Sequence, residues 1–290
     1  MSKREVVVLS GVRTAIADFG GTLKDQPATE LAAKVVAEAV SRSGLSPEDI
    51  GHCVIGSVLH GDRRDMYISR VAALKAGLPV ETPSLTVNRL CGSGLQALVS
   101  AAQMILLDDC DVAVAGGSES MSRAPYWLPA ARFGANMGDG SMVDSLTGVL
   151  TCPMGDVHMG VTAENVADQF NISREQQDEL ANQSHQRAQR AIEENRFDGQ
   201  ILPIEIKTRK GVTTFNQDEH VRFDCDIESM AKLRPAFKKE GSVTAGNASG
   251  INDGAAALVL MEKAKAEEKG LKPMAKLIGY TLAGVDPSIM

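Results

Sequence analysis

The apolar and polar positions in the first part of the chain follow two different periods. Short, near-continuous apolar runs rich in β-branched residues predict buried strands at 5–11, 52–59, 84–87 and 111–115. Between them, apolar residues recur every three or four positions, which predicts helices at 30–43, 68–76 and 93–107. This alternation predicts an α/β domain in which helices cover both faces of a parallel or mixed sheet.

The pattern changes after about residue 118. Residues 120–157 have little periodicity and are rich in Met, Pro, Gly and Ala, which predicts a long excursion from the sheet. The elements predicted beyond it are helices at 162–170 and 173–195, a hairpin at 201–215, a strand at 255–261, a helix at 262–269 and a strand beginning at 276–281. The strand and helix after residue 250 look like the close of the first α/β unit, so residues 118–250 are predicted to be inserted within it.

Charge and hydropathy narrow the class of protein. The chain has 290 residues and 30 Lys and Arg against 37 Asp and Glu, a net charge of −7. An acidic chain is a poor ligand for nucleic acid, so no nucleic-acid partner is expected. The sequence has no apolar run of about 18 residues, and its first apolar run, Val6–Leu9, is soon followed by Arg13. We therefore expect neither a membrane span nor a signal peptide, and a cytoplasmic location.

Five cysteines are spread along the chain without a C-x-x-C pair: Cys53, Cys91, Cys110, Cys152 and Cys225. The odd number and wide spacing argue against both a disulfide framework and a zinc site, and no metal is expected. In a reducing compartment these residues should be free thiols. Cys53 and Cys110 belong to predicted strands or lie beside them and are expected in the core.

The cysteine with the most distinctive surroundings is Cys91. It follows the predicted strand at 84–87, and Gly92 and Gly94 open the apolar helix after it. The unpaired amides and the positive dipole end of such a helix stabilise a thiolate, and the glycines let a carbonyl group approach. From this local pattern, a nucleophile and a buried cysteine in a tight turn are equally good interpretations. The same residues also match G-x-G-x-x-A, a weak indication of a dinucleotide site with Glu119 downstream.

Two further clusters could line a ligand site. His158 and Met159 stand immediately before a predicted helix, where the residues alone favour a packed histidine at a helix cap. Residues 244–255 carry almost no bulky side chain, which would let a ligand lie against the backbone. Arg222 and Lys210 could meet phosphate groups, although solvated surface charge is the default interpretation.

Taken together, four segments resemble the thiolase family, which comprises the acetyl-CoA acetyltransferases and β-ketothiolases. They read VNRLCGSG at 87–94, GGSESMS at 116–122, HMGVTAEN at 158–165 and GNASGINDG at 246–254. The similarity runs from Val6 to the last residue. Four long motifs in the right order are far more specific than the dinucleotide pattern, which the resemblance sets aside.

The resemblance implies a fold of two similar βαβαβαββ halves, with a loop domain inserted in the first. The implied segments are an N-terminal half carrying the nucleophile at 1–118, an inserted coenzyme A-binding loop domain at 119–250, a closing strand and helix at 251–271, and the start of a second half at 272–290. Only the first strand of that second half is expected here. Family members are dimers or tetramers, so a homodimer or homotetramer is expected for the full-length form.

The resemblance also implies a role for particular residues. Cys91 would carry the acyl group as a thioester. The residues implied in binding coenzyme A or the substrate are His158 and Met159 in the pantetheine and acyl pocket, Ser249 on the pantetheine arm, and Arg222 and Ser229 near the adenine nucleotide. Coenzyme A thioesters are the substrates of the family, so no separate cofactor is expected.

The family pattern continues with N-E-A-F, G-H-P and C-x-G-G-G segments that the 290 residues do not contain. These segments carry the histidine that works on the nucleophile and a second, acid/base cysteine. The chain therefore resembles a thiolase cut just inside its second half, and it is expected to be inactive alone. Two alternatives remain: a non-catalytic remnant that binds coenzyme A or acyl groups and acts through its protein interfaces, and a ketoacyl synthase-like reaction on the same fold.

Overall fold

The computed structural model describes residues 4–134, 136–209 and 211–290. The chain divides into two compact units. The first, here called the sheet unit, contains the chain up to Ala124, Gln200–Glu219 and Asn252–Tyr280. The second, the loop unit, contains Pro125–Gly199, His220–Ile251 and Thr281–Met290.

The strands of the described residues are β1 (Val6–Thr14), β2 (Ala17–Asp18), β3 (His52–Gly56), β4 (Ser84–Val87), β5 (Val112–Ser120), β6 (Tyr126–Trp127), β7 (Val143–Asp144), β8 (Thr151–Cys152), β9 (Val157–His158), β10 (Ile201–Leu202), β11 (Ile204–Thr208), β12 (Gly211–Phe215), β13 (Asn252–Glu262) and β14 (Ala275–Lys276). The α-helices are α1 (Ala28–Ser43), α2 (Ile68–Lys75), α3 (Ser93–Leu106), α4 (Ser145–Val149), α5 (Met159–Phe170), α6 (Arg174–Glu193), α7 (Ile227–Ala231) and α8 (Lys263–Glu268).

One mixed sheet forms the centre of the sheet unit, in the order β10–β1–β13–β5–β3–β4. Strand β3 runs parallel to both β4 and β5, whereas β13 is antiparallel to β1 and β5. The parallel strands have their carboxyl ends at the same edge of the sheet. The α/β class and the mixed sheet expected from the sequence are confirmed.

Helices cover both faces of this sheet, as its near-continuous apolar strands require. Ala113 and Ala115 of β5 pack in a core cluster with Ala101 and Ile105 of α3. The hydroxyl of Ser118, three residues beyond Ala115 in β5, donates to the carbonyl of Ala28 in α1. Because successive side chains of a strand point to opposite faces, α3 and α1 lie on opposite sides of β5.

The predicted strand at 276–281 is wrong in extent. Strand β14 covers only Ala275–Lys276, and it pairs with Val7 and Val8 at the start of β1. The Leu277 amide still donates to the Val6 carbonyl, but the chain beyond it has passed the first residue of β1. Among the residues that the structure describes it has no ladder partner there, and residues 278–286 are exposed.

Residues 200–219 rejoin the sheet unit. Strand β10 pairs in parallel with the end of β1, where Arg13 lies opposite Ile201 and Thr14 opposite Leu202. The hairpin predicted at 201–215 is confirmed from Ile204 to Phe215 in β11 and β12, whereas its first two residues belong to β10 instead. This segment lies inside the stretch that the sequence assigns to the inserted domain, and the four predicted segment boundaries stay a prediction.

Buried charges organise the loop unit. The Glu164 carboxylate of α5 is 2% exposed and accepts the backbone N–H groups of Ser242 (2.8 Å) and Val243 (2.9 Å). Such charge-assisted bonds compensate for the desolvation of the carboxylate. Helix α6 begins at a capping box of Ser173 and Gln176, as predicted. Among the described residues, no helix has the length and apolar character that a membrane crossing requires.

Candidate active site

Cys91 lies in a tight turn between β4 and α3, at the carboxyl edge of the parallel strands. The residue before it, Leu90, has a φ of 45°, a left-handed conformation that is uncommon for a leucine. The hydroxyl of Ser93 closes the turn, since it accepts the Arg89 N–H at 2.9 Å and donates to the Leu90 carbonyl at 2.6 Å. The Ser93 hydroxyl thus ties together the residues before and after Cys91. Cys91 itself is exposed.

The first turn of α3 begins directly after the cysteine. Gly92 is its N-cap, and the Gln96 N–H makes the first helical bond, to the Gly92 carbonyl at 2.8 Å. The N–H groups of Gly94 and Leu95 have no hydrogen-bond partner among the described residues. Both residues are exposed. Free amides at the positive end of a helix can stabilise negative charge on a sulfur or on an oxyanion.

The other thiols lie in less accessible surroundings. Cys53 is buried, and burial raises the pKa of its thiol to about 11. Cys110 is half-buried rather than in the core, and burial, with Asp109 and Asp111 beside it, raises the pKa of its thiol to about 11. Burial also raises the pKa of the half-buried Cys225. Cys91 is the exposed cysteine among the five.

A carboxylate lies at the same edge of the sheet. Glu119, near the end of β5, accepts the backbone N–H groups of Val58 (2.9 Å) and Leu59 (3.0 Å), which follow β3. Burial raises the pKa of the Glu119 carboxyl to about 7, and the two amide donors oppose this change. Glu119 thereby fixes the chain after β3 and titrates in the neutral range.

His158 and Met159 are placed together where β9 meets α5. His158 is the N-cap of α5, and its Nδ1 accepts the Gly160 N–H at 3.0 Å. Its ring stacks on Phe237, with centroids 4.9 Å apart and an interplanar angle of 19°. The cap and the packed ring that the residues alone favour are both present. Both His158 and Met159 are half-buried.

Ser249 lies on a turn that other side chains hold in place. The Asn247 side chain accepts the Thr244 N–H at 2.7 Å and donates to Asp178 at 2.8 Å. Asp178 is 3% exposed and also pairs with Arg174 at 2.7 Å. Ser249 itself is exposed. The network fixes the backbone of the turn and leaves the Ser249 hydroxyl on its surface.

Arg222 and Ser229 belong to the segment that leads into and through α7. Arg222 is exposed, and its backbone N–H donates to Nδ1 of His185 at 3.2 Å. Ser229 takes part in the capping box of α7, where its N–H donates to Asp226 at 2.7 Å. Lys210 lies outside the described residues. In the part of the chain that is described, no three His, Cys, Asp or Glu side chains could hold a metal ion together.

The sequence did not indicate several residues that shape these sites. The left-handed φ of Leu90 and the two bonds of the Ser93 hydroxyl leave no local signal, because Leu is not a residue that favours this conformation. The partner of the His158 ring, Phe237, is 79 positions away along the chain. The GGSESMS motif, which contains Glu119, did point to the right segment but not to the two amides that Glu119 accepts.

The geometry is that of an α/β protein with an exposed cysteine on a strand–turn–helix, which is a site class suited to thioester chemistry. Residues 6–264 match the family model described as "Thiolase, N-terminal domain". The chain belongs to the thiolase family.

Relatives of known name support this assignment. The chain is 60% identical over 288 residues to the beta-ketothiolase BktB of Cupriavidus necator, which covers 99% of this chain and 73% of that protein. The crystal structure of the Bacillus anthracis acetyl-CoA acetyltransferase has a TM-score of 0.95 and 47% identity, covering 99% of this chain and 73% of that one. The human mitochondrial 3-ketoacyl-CoA thiolase in complex with CoA has a TM-score of 0.94 and 41% identity, covering 99% and 72%.

Proposed function

We propose that this chain serves an acyl-CoA C-acyltransferase reaction, the condensation of two acyl-CoA molecules or the cleavage of a 3-ketoacyl-CoA by coenzyme A. The observation that carries the proposal is the exposed Cys91 in a rigid turn beside the free amides of α3. The family relationship, with a beta-ketothiolase at 60% identity, supports the same reaction class.

In the covalent step, the Cys91 thiolate attacks the carbonyl carbon of an acyl-CoA thioester. A new carbon–sulfur bond forms to Sγ, the bond to the coenzyme A sulfur breaks, and coenzyme A leaves as the thiol after taking a proton. We assign the donors for the oxyanion of the tetrahedral intermediate to the amides of Gly94 and Leu95, which have no other partner among the described residues. An exposed thiol in a fixed turn suits this exchange, because the nucleophile needs no rearrangement to meet the carbonyl.

The substrate proposed is an acyl-CoA, since the human relative is in complex with CoA. We assign binding to His158, Met159, Arg222, Ser229 and Ser249, whose positions are given above. Arg222 offers a guanidinium for phosphate, and the small residues around Ser249 leave room for an extended chain. The reaction consumes coenzyme A thioesters and uses no further cofactor.

A reducing, cytoplasmic environment suits this chemistry, because a nucleophilic cysteine must remain a free thiol, and all five cysteines are free. We further propose a homodimer or homotetramer for the full-length form. This proposal rests on the resemblance to the family, whose members are dimers or tetramers.

The 290-residue polypeptide is proposed to perform only the covalent half of the cycle. Condensation needs a base to remove the proton next to a thioester carbonyl, and a positioned base contributes about 10²–10⁴-fold. A further oxyanion donor contributes about 10²–10³-fold. In the thiolase pattern, the histidine of the G-H-P segment and the cysteine of the C-x-G-G-G segment supply these functions, and the 290 residues contain neither segment. Turnover by this polypeptide should therefore fall below detection.

The test separates the two halves of the reaction. Purified protein is incubated with acetyl-CoA, and intact-mass and peptide mass spectrometry measure acetylation; loss of acetoacetyl-CoA in the presence of coenzyme A measures turnover. We expect one acetyl group on Cys91, its loss in Cys91→Ala and its retention in the matched Cys152→Ala variant, with no turnover. Acetylation elsewhere would refute the assignment of Cys91. Robust cleavage that Cys91→Ala abolishes would refute the claim of an incomplete cycle.

A further inference from the structure

Two glycines of the sheet lie directly under the turn that holds Cys91. Gly56 ends β3, and its register partners are Val87 of β4 and Gly117 of β5. Strands β3 and β4 therefore end side by side, next to Gly117 of β5, which runs on to Ser120, and β4 continues into the Cys91 turn. This places Gly56 and Gly117 against the start of α3.

The first turn of α3 lies against these glycines at backbone distance. A Cβ added to Gly56 would be 2.7 Å from the Gly94 nitrogen and closer still to the Ser93 carbonyl group. A Cβ added to Gly117 would be 3.1 Å from Cα of Gly94. Neither neighbour is a flexible side-chain end that could move aside, because all of these atoms belong to the backbone.

We infer that Gly56 and Gly117 are positioning residues for Cys91: the absence of their side chains seats the first turn of α3 and sets where the thiol and the free amides stand. The inference rests on the proposed acyl transfer to Cys91. It adds two residues from strands that do not touch the substrate in the proposal above.

A displacement of the first turn of α3 from Gly56 and Gly117 must also move Cys91. Ser93 is 5% exposed, and its hydroxyl is bonded to both Arg89 and Leu90, the residues that precede the cysteine. If the backbone of Ser93 moves, either these bonds break or the turn moves with it. The left-handed Leu90 has little freedom to absorb the motion, since few neighbouring φ values are allowed for a leucine.

The size of the displacement follows from the contacts. Ordinary van der Waals contact of a Cβ begins at 3.4 Å, so an alanine at position 56 pushes the Gly94 nitrogen from 2.7 Å to 3.4 Å or beyond, a shift of at least 0.7 Å. A misplacement of about 1 Å between reacting groups can reduce a rate by about 10²-fold. At position 117 the shift is only from 3.1 Å to 3.4 Å, so the effect should be smaller.

The chain offers a matched control in the neighbouring glycine. A Cβ added to Gly116 would be 3.1 Å from Cα of Ala257 and closer still to the Ala256 carbonyl oxygen, both in β13. Gly116→Ala therefore forces a backbone clash of similar severity in the same sheet, but against a different strand. It should lower thermal stability without moving the Cys91 turn.

The experiment compares Gly56→Ala, Gly117→Ala and Gly116→Ala with the wild-type 290-residue chain. Circular dichroism gives the melting temperature, and mass spectrometry gives the rates of Cys91 acetylation by acetyl-CoA and of Cys91 alkylation by iodoacetamide across a range of pH. Alkylation across pH reports how far the helix amides favour the thiolate, whereas acetylation also needs these amides beside the oxyanion, so both should change when the first turn of α3 moves. We expect acetylation to fall by about 10²-fold in Gly56→Ala and less in Gly117→Ala, with Gly116→Ala at the wild-type rate.

The outcomes separate the inference from the proposed function. If Gly56→Ala does not fold, the milder Gly117→Ala decides, and a folded Gly117→Ala that acetylates at the wild-type rate overturns the inference. An equal loss in Gly116→Ala also overturns it, since general destabilisation would then be the cause. If wild-type Cys91 is not acetylated, the proposed function fails. The pH profile of Cys91 alkylation then decides the inference. If this profile is unchanged in folded Gly56→Ala and Gly117→Ala, the inference is overturned.

Discussion

Glu119 makes the stability of the sheet unit depend on pH in a direction that can be worked out. Burial raises the pKa of its carboxyl from 4.5 to about 7, against the two backbone amides of Val58 and Leu59 that favour the charged form. Between these two values the folded chain keeps a proton that the unfolded chain has released. The contribution of Glu119 to the free energy of unfolding must therefore fall as pH rises from 4.5 to 7, and level off above 7.

The magnitude follows from the same two values. Their difference is 7 − 4.5 = 2.5, and one pKa unit corresponds to about 1.4 kcal/mol, so the full effect is about 3 kcal/mol. Part of it has already been lost at pH 5, because the unfolded carboxyl is then mostly ionised. Between pH 5 and pH 8 the remaining loss is about 2–3 kcal/mol.

The perturbation that isolates this effect is Glu119→Gln, because glutamine keeps the size and cannot titrate. Urea unfolding followed by circular dichroism gives the free energy of unfolding of both proteins from pH 5 to pH 8. The value for the wild type minus that for the variant should fall by about 2–3 kcal/mol over this range. Any loss of one amide bond in the variant is constant with pH and cancels from the trend.

Glu81→Gln is the control for removal of one negative charge, since Glu81 is exposed. Its difference from the wild type should not follow the trend of Glu119→Gln. A difference between wild type and Glu119→Gln that is flat across the range, or that rises with pH, would refute the reasoning. It would mean that the two amides outweigh burial in setting the charge state of Glu119.

Three further outcomes are expected. Substoichiometric iodoacetamide near neutral pH should label Cys91 first by peptide mapping, because Cys91 is the exposed cysteine; preferential labelling of Cys152 or Cys225 would contradict this. Helix α3 should make the isolated chain bind a hydrophobic dye and associate in sedimentation, since Leu95 is 70% exposed and Leu106 is 40% exposed; a monodisperse monomer without dye binding would argue against it. Gly160→Ala should destabilise the chain by about 1–3 kcal/mol in urea unfolding, because its Cβ would overlap the Phe237 ring, whereas Gly155→Ala, with its nearest neighbour at 3.6 Å, should not.

The periodicity of the sequence was sufficient for most elements because these bury one regular face. Strand β4 was predicted with its exact bounds, and α2 and α3 to within one residue at their ends. Strand β5 runs on from the predicted 111–115 to Ser120, since Gly116 to Ser120 continue the ladder with β13. A run of Gly and Ser carries no apolar period, so the sequence could not predict that continuation.

The candidate site was predictable in part for a similar reason. Cys91 and its glycines are adjacent in sequence, so the motif itself displays the strand–turn–helix. The backbone contact beneath that turn is made by Gly56 and Gly117, which come from two other strands. Their role follows from sheet register, and register is set by pairings that no single segment specifies.

A rigid turn at Cys91 has an energetic cost that its surroundings must offset. The left-handed Leu90 costs about 1–2 kcal/mol relative to an ordinary backbone conformation. The two hydrogen bonds of Ser93 contribute about 1 kcal/mol each, which is enough to hold the turn but leaves little surplus. The contact of Ser93 and Gly94 with Gly56 and Gly117 adds packing that bonds within the turn cannot provide. The strain is thus kept in place by the sheet, so the position of the Cys91 thiol is set by the strands beneath it as well as by its own sequence.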